Sequence, residues 1–222
     1  MSPTTIPMAP MDDNAVEEIV DVAFRLPGGR LPTDHASALL REIGAALPWF
    51  ADEVGARIHQ IHTAATGSGW MRPEESPDDE LHLSRRTRLV LRLPERRAGD
   101  ALALSGRELD VGGYPLTPGP GKVVPLLPAS TLLARHVVCE ESEGEAALVS
   151  RLTGLLEASG VRSATLICGR THRISGDEGD LHTRSVVVTK LDPDGAMFLL
   201  RNGIGPAGKL GCGIFIPYKH ID

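Results

Sequence analysis

Twice along the chain, segments in which apolar residues alternate with others bracket segments in which apolar residues recur every three or four positions. Both times the order is strand, helix, strand, strand, helix, strand. Periods of 2 and 3.6 are those of a half-buried strand and an amphipathic helix, so this order restricts the chain to two βαββαβ units in tandem. In the first unit Val20, Val22, Phe24 and Leu26 alternate in a strand. The turn residues Pro27, Gly28 and Gly29 follow, and Ala36, Leu39, Leu40, Ile43 and Leu47 then fall at helical spacing, with Thr33 or Asp34 placed to cap the helix. Residues 57–62 read as a second strand around Ile58 and Ile61. Residues 86–93 alternate cleanly, with Thr87, Leu89, Leu91 and Leu93 on one face and Arg86, Arg88, Val90 and Arg92 on the other. A short helix over 95–104 and a hairpin or broken strand around Gly112-Gly113 complete the unit.

Pro115, Pro118, Pro120, Pro125 and Pro128, with Gly119 and Gly121, then interrupt the pattern in a way that disfavours helix and strand interiors. The divisions expected are a disordered leader over 1–14, an N-terminal unit over 15–118, a linker over 119–130 and a C-terminal unit over 131–222. In the second unit 132–139 read as a strand, and 143–159 as a helix striped by Ala147, Leu148, Leu152, Leu155 and Leu156 and stopped by Gly160. Strands over 164–168 and 183–190, a short helix opened by Asp192 or Asp194, and a last strand over 212–216 follow.

A net charge of -6 and a pI near 5.8 argue against a protein that coats nucleic acid through its overall field. The charge is segregated, however. Arg85, Arg86, Arg88, Arg92, Arg96 and Arg97 cluster just after the acidic Glu74, Glu75, Asp78, Asp79 and Glu80, and the β-alternation puts Arg86, Arg88 and Arg92 in one cationic stripe. No apolar run approaches a membrane span, and the leader lacks the basic start and apolar stretch of a secretory signal. Cys139, Cys168 and Cys212 lie far apart without metal-knuckle spacing, which fits a reducing, cytoplasmic setting.

The most unusual segment is 203–213, where Gly203, Gly205, Gly208, Gly211 and Gly213 precede a strand and Lys209 adds a cation. A backbone nearly bare of side chains can turn its N–H groups toward phosphate oxygens. A P-loop is excluded because no Gly-Lys-Ser/Thr follows and the segment leads into a strand; a dinucleotide loop would open a helix. A tight crossover between helix and edge strand would need one or two glycines, hardly five.

Four stretches, namely residues 20–26, Leu31-Pro32-Thr33-Asp34-His35, Ile58-His59 followed by Thr66-Gly67-Ser68-Gly69, and the glycine-rich 203–217, resemble the CRISPR-associated RNA-processing endoribonucleases of the Cas-six type, Myxan subtype. The last stretch is the most specific, and the acidic 72–82 departs from the family pattern. The resemblance implies an α+β chain of tandem ferredoxin-like (RRM-like) βαββαβ domains with a C-terminal glycine-rich loop. It also implies metal-independent cleavage of CRISPR repeat RNA in precursor transcripts, by attack of the substrate's own 2′-hydroxyl, giving mature guide RNA.

Such chemistry needs a base for the 2′-hydroxyl proton, an acid for the leaving 5′-oxygen and positive charge near the phosphate. Imidazole serves the first two, which turns attention to the eight histidines. His35, on the first turn of the first helix, stands close to where the family places its catalytic histidine, although a histidine there can also merely cap or solvate. His59 is the second candidate; with His62 three positions on, the two leave opposite faces of a strand. His82, His136, His172, His182 and His220 have no motif around them, though His172 lies beside Arg170 and Arg173 in a basic turn able to meet RNA.

The RNA-binding set is Arg86, Arg88, Arg92, Arg170, Arg173, Gly203, Gly205, Gly208, Lys209 and Gly211. With 4% aromatic residues, a base-stacking platform is not evident. No cofactor and no metal are expected, since His59, His62 and His82 lack ligand spacing and Ser68 lacks the flanks of a nucleophile elbow. The partners expected are CRISPR repeat RNA in precursor crRNA and other Cas proteins of a multisubunit surveillance complex. The rival readings are a non-catalytic RNA-binding subunit of such a complex, told apart by binding without cleavage, and a small nucleotide-binding enzyme.

Overall fold

A computed structural model describes residues 17–62, 80–161, 164–176 and 179–218. The leader, Thr66 to Gly69, residues 72–79 of the acidic segment and His220 lie outside the described residues. The first half contains β1 (Ile19–Arg25), β2 (Gly29–Pro32), α1 (Ala36–Ala46), β3 (Arg57–Ile58), β4 (Glu80–Leu83), β5 (Arg88–Pro94), α2 (Ala98–Ala101), β6 (Leu109–Val111), β7 (Tyr114–Leu116) and β8 (Gly121–Pro125). The second contains β9 (Leu132–Val138), α3 (Glu145–Ala158), β10 (Thr165–Ile174), β11 (Leu181–Thr189), α4 (Pro193–Asn202) and β12 (Phe215–Pro217).

Two four-stranded antiparallel sheets carry these halves, in the orders β3-β5-β1-β8 and β10-β11-β9-β12. Counted along each half, both orders put the first and third strands at the centre with the second and fourth at the edges, which is the ferredoxin-like arrangement expected. In β1 the alternation buries Val20, Val22 and Phe24 against Leu89, Leu91 and Leu93 of β5, and α1 closes that core with Leu39 and Ile43. The second core gathers Leu132 and Ala134 of β9, Leu148, Leu152 and Leu156 of α3, Val186 and Val188 of β11, and Leu199 and Leu200 of α4. Asp192 caps α4 by accepting a hydrogen bond from the Gly195 amide at 2.6 Å, with Pro193 as the first helical residue.

Four expectations shift. Neither Thr33 nor Asp34 caps α1; His35 occupies the cap position without a side-chain cap bond, and the Asp34 carboxylate accepts from the Ser175 amide instead. The second strand shrinks to Arg57–Ile58, since the residues after it turn toward the other half. The proline-rich stretch read as a linker supplies β8, the partner of β1; as an edge strand, β8 needs ladder bonds on one side only and so tolerates Pro125 at its end. The final strand starts at Phe215, because the glycine loop's last turn occupies 211–213.

Hydrogen bonds join the halves at several points. The Ser37 hydroxyl donates to the Ser175 carbonyl at 2.7 Å and the Gln60 amide to the Leu210 carbonyl at 3.1 Å, while Arg57 and Lys209 donate to the carbonyls of Asn202 and Ala51. The glycine loop therefore belongs to the seam between the halves. Among the described residues, no helix is long and apolar enough to cross a membrane.

Candidate active site at the seam

The loop's shape follows from what it touches. Gly213 has φ +65°, and a Cβ there would sit 1.9 Å from the Ile204 carbonyl oxygen, because the Ile204 amide and Gly213 carbonyl close the loop at 3.0 Å. Gly211 has φ +88°, and a Cβ would meet the Gln60 side chain at 2.5 Å. Gly203 and Gly208 lie against the Arg57 guanidinium. Four of the glycines thus let the loop close on itself and press onto β3 and onto Gln60 beyond it. Gly205 at the exposed tip has open space around it. Lys209, expected to be a mobile cation, is tethered to Ala51.

His35 lies beside this loop: Ala36 packs with Cys212 and Ile174, and Ala207 and Leu210 flank them. Its imidazole is 2% exposed. Nδ1 is 3.1 Å from the carbonyls of Pro32 and Thr33, which only accept, so Nδ1 carries the proton; Nε2 accepts the Ile61 amide at 3.0 Å. Burial lowers the pKa of His35, against the opposing effect of the two carbonyls. In this conformation both nitrogens are occupied.

Around it stand three histidines other than the expected catalytic pair of His35 and His59. The ring of His62, which follows β3, stacks on His136 of β9 with centroids 5.7 Å apart and planes 12° from parallel; His172 of β10 meets His136 edge-on at 5.1 Å. His35 is close enough to influence the charge of both His62 and His136. The backbone carbonyl of His136 accepts the Gly213 amide at 2.6 Å, which ties the end of the glycine loop to this group. No linear motif announces the cluster, because its members come from three strands or strand ends, with 74 positions between His62 and His136 and 36 between His136 and His172. The available signal was that His62 and His136 each neighbour a predicted strand end or interior in opposite halves.

His59 goes elsewhere. Its Nε2 is 3.5 Å from Asp21 Oδ1, within a buried group in which the Arg92 guanidinium grips both Asp21 oxygens at 2.8 and 3.0 Å. Burial lowers the pKa of His59 although Asp21 opposes it. Burial raises the carboxyl pKa of Asp21, but its bonds to His59 and Arg92 outweigh that and hold it below the usual range.

Arg92 does not join Arg86 and Arg88 in a solvent-facing stripe: it is 1% exposed, and its remaining nitrogen donates to the carbonyls of Leu200 and Phe215 at 2.9 and 2.7 Å. The physical reason is that the outer face of the first sheet, exposed in a lone unit, is covered by the second half. Arg86 is exposed, and Arg88 is half-buried with its guanidinium on the carbonyls of Arg85 and Thr87. Arg170 and Arg173 are exposed on β10, Arg173 paired with Asp180. Among the described residues, no group of three or more His, Cys, Asp or Glu is arranged to hold a metal ion.

The model of the family described as Cas6 Crispr matches residues 20–220. The CRISPR-associated endonuclease Cas6 of Myxococcus xanthus strain DK1622 is 30% identical over 200 residues, which cover 89% of this chain and 81% of the relative. Among solved structures, a CRISPR associated protein Cas6 aligns with a TM-score of 0.61 over 91% of this chain and 100% of its own, at 13% identity. The product of a Cas6-related gene from Pyrococcus furiosus aligns with a TM-score of 0.61 over 89% and 98%, at 14% identity. At these identities the structural likeness speaks for the fold, which is the tandem ferredoxin-like one described above. A family match that begins on β1 and runs past β12, together with the Myxococcus relative, settles the assignment: the chain belongs to the Cas6 family.

Proposed function

We propose that this chain is a metal-independent endoribonuclease that cleaves CRISPR repeat RNA in precursor transcripts to give mature guide RNA. The substrate's 2′-hydroxyl attacks the adjacent phosphate, histidines move the protons, and the products end in a 2′,3′-cyclic phosphate and a 5′-hydroxyl. The observation that carries this reading is that the glycine-rich loop and a group of imidazoles, His35 at its centre, meet at one seam within a chain of the Cas6 family. His35 holds the Ile61 amide, one residue before His62, and so fixes the group from the α1 side. The exposed Arg86, Arg170 and Arg173, with Arg88 and the loop tip around Gly205, supply phosphate contacts that give affinity and register. Thermus thermophilus Cse3, solved bound to an RNA representing a pre-cleavage complex, aligns with a TM-score of 0.50 over 90% of this chain and 98% of its own at 18% identity.

Incubation with a labelled cognate repeat in excess chelator tests the reading. Cutting that leaves a cyclic phosphate is the expected result; loss of cutting when metal is removed would overturn the mechanism. One observation favours a second reading, a non-catalytic RNA-binding subunit of a CRISPR surveillance complex: both ring nitrogens of His35 are occupied. Tight binding with no cleavage of any repeat would decide for it.

A further inference from the structure

We propose that His136 is the base that takes the 2′-hydroxyl proton, and that His62, stacked on it, is the acid that protonates the leaving 5′-oxygen. This rests on the endoribonuclease reading above and names the groups that carry it out.

The tautomer of His136 can be read from its neighbours. The Thr183 hydroxyl is 3.3 Å from the His172 carbonyl, to which it donates its one proton, and 3.2 Å from His136 Nδ1. With the hydroxyl proton already committed, Nδ1 must be the donor toward Thr183, and Nε2 is left with a bare lone pair. That nitrogen is buried and has no hydrogen-bond partner among the described residues, in a side chain only 7% exposed. A buried acceptor with nothing to accept is uncommon in folded proteins and calls for an explanation. His35, by contrast, has both nitrogens spent on the backbone; the Nε2 of His59 also makes no hydrogen bond, but it stands 3.5 Å from the Asp21 carboxylate that Arg92 grips.

The surroundings of His136 are those of an anion site. Arg135 precedes it, and His35, His62 and His172 approach from α1, from the end of β3 and from β10. Burial, helped by His172, Arg135 and His35, pushes the pKa of His136 down to about 3, so the empty site keeps the ring neutral and able to accept a proton. An arriving phosphate reverses the local charge and raises that pKa as the proton arrives. Burial, with Arg135, His136, His35 and His172, pushes the pKa of His62 down to about 3 as well, so without RNA neither ring carries a proton; the phosphate raises both, and the proton the pair takes up rests on His62, the ring that is exposed to solvent. The glycine loop ends on the His136 carbonyl, which registers the two elements against each other. In the step itself, O2′ loses its proton to His136 Nε2 and bonds to phosphorus. The bond from phosphorus to O5′ breaks, and O5′ takes a proton from the His62 imidazolium. Exchange with water then returns His136 to neutral and His62 to its protonated form.

The test uses the full chain and the repeat RNA that the wild type cuts, in two forms: the natural one, and one with sulfur replacing the bridging 5′-oxygen at the mapped cut site. A thiolate leaves without a proton, so it bypasses the acid but not the base. His62→Gln is expected to slow the natural repeat by about a hundredfold or more, as loss of a general acid does, and to cut the sulfur form within a few-fold of wild type. His136→Gln is expected to slow both forms by about a hundredfold or more, with repeat affinity unchanged. Wild-type rates in His136→Gln, or its rescue by the sulfur substrate, would overturn the assignment. If that variant does not fold, imidazole NMR of the wild type decides: titrated with the repeat made 2′-deoxy at the cut site, the His136 pKa rises, and no rise refutes the proposal. A wild type that cuts no repeat would refute the nuclease reading itself, whereas a wild type that cuts alongside indifferent His136 and His62 variants would refute this inference alone.

Discussion

Arg92 and Asp21 face each other in register across β5 and β1, and the guanidinium that grips the Asp21 carboxylate with two nitrogens gives its third to the carbonyls of Leu200 and Phe215 in the other half. One side chain therefore completes the first sheet's face and fastens the second half to it. Breaking a buried pair by removing one partner leaves a charge uncompensated, so Asp21→Asn should lower unfolding free energy by about 3 kcal/mol. Arg92→Lys should not restore the wild type, since an ammonium cannot serve a bidentate carboxylate and two carbonyls at once. Urea unfolding of both variants checks this; wild-type midpoints would mean the seam is held elsewhere.

Acid should weaken the fold in a defined window. Burial holds His35, His59 and His136 below the ordinary imidazole value of 6.5. A group that is harder to protonate when folded draws protons to the unfolded chain. The stability involved is therefore complete above about pH 6.5 and declines as pH falls toward about 3, the value to which His136 is pushed. Asp21, held below its usual range, adds a further loss below about pH 4. Thermal melting between pH 8 and 4 should show a falling Tm; a flat profile would contradict the burial of these rings.

The loop glycines should divide into two classes. Gly213→Ala places a side chain in the left-handed region at a strain of about 1–3 kcal/mol and drives it into the Ile204 carbonyl, so both stability and cutting should suffer. Gly205→Ala meets open space and should cost only about 1 kcal/mol of strain. Equal losses in the two variants, measured by melting and by repeat cleavage, would contradict the packing account of the loop.

His35→Ala should abolish cutting while leaving repeat affinity nearly unchanged. It also removes the acceptor of the buried Ile61 amide, so a stability loss of about 2 kcal/mol should accompany it. Cleavage is therefore to be measured where the variant is shown to be folded, and full activity there would mean that the hold of His35 on the Ile61 amide is not needed to position His62.

Arg86→Ala, at an exposed site, should weaken repeat binding across sequences and reduce the slope of log affinity against log salt by roughly 1. Arg92 variants should act first through stability, because that side chain is buried. A salt slope unchanged in Arg86→Ala would remove it from the RNA surface.

Local periodicity was enough to place β1, β5, β9 and β11 and the helices α1, α3 and α4. The alternation of Val20, Val22 and Phe24, the clean two-faced pattern of 86–93 and the Asp192-Pro193 helix start are set by interactions within a few residues. The family likeness was legible too, because the glycine-rich stretch is contiguous. The sequence also determined that a strand face would carry Arg92; which side of that face would meet water was not a local matter. Tertiary structure decided it by laying the second half over the sheet, turning an expected cation stripe into a buried clamp, pressing three loop glycines onto β3 and Gln60 beyond it and drawing β8 out of a proline-rich stretch. It also decided which histidines meet. His62 and His136 lie 5.7 Å apart in space but 74 positions apart in sequence, and no periodicity reports a contact that forms only when two separately folded sheets are docked.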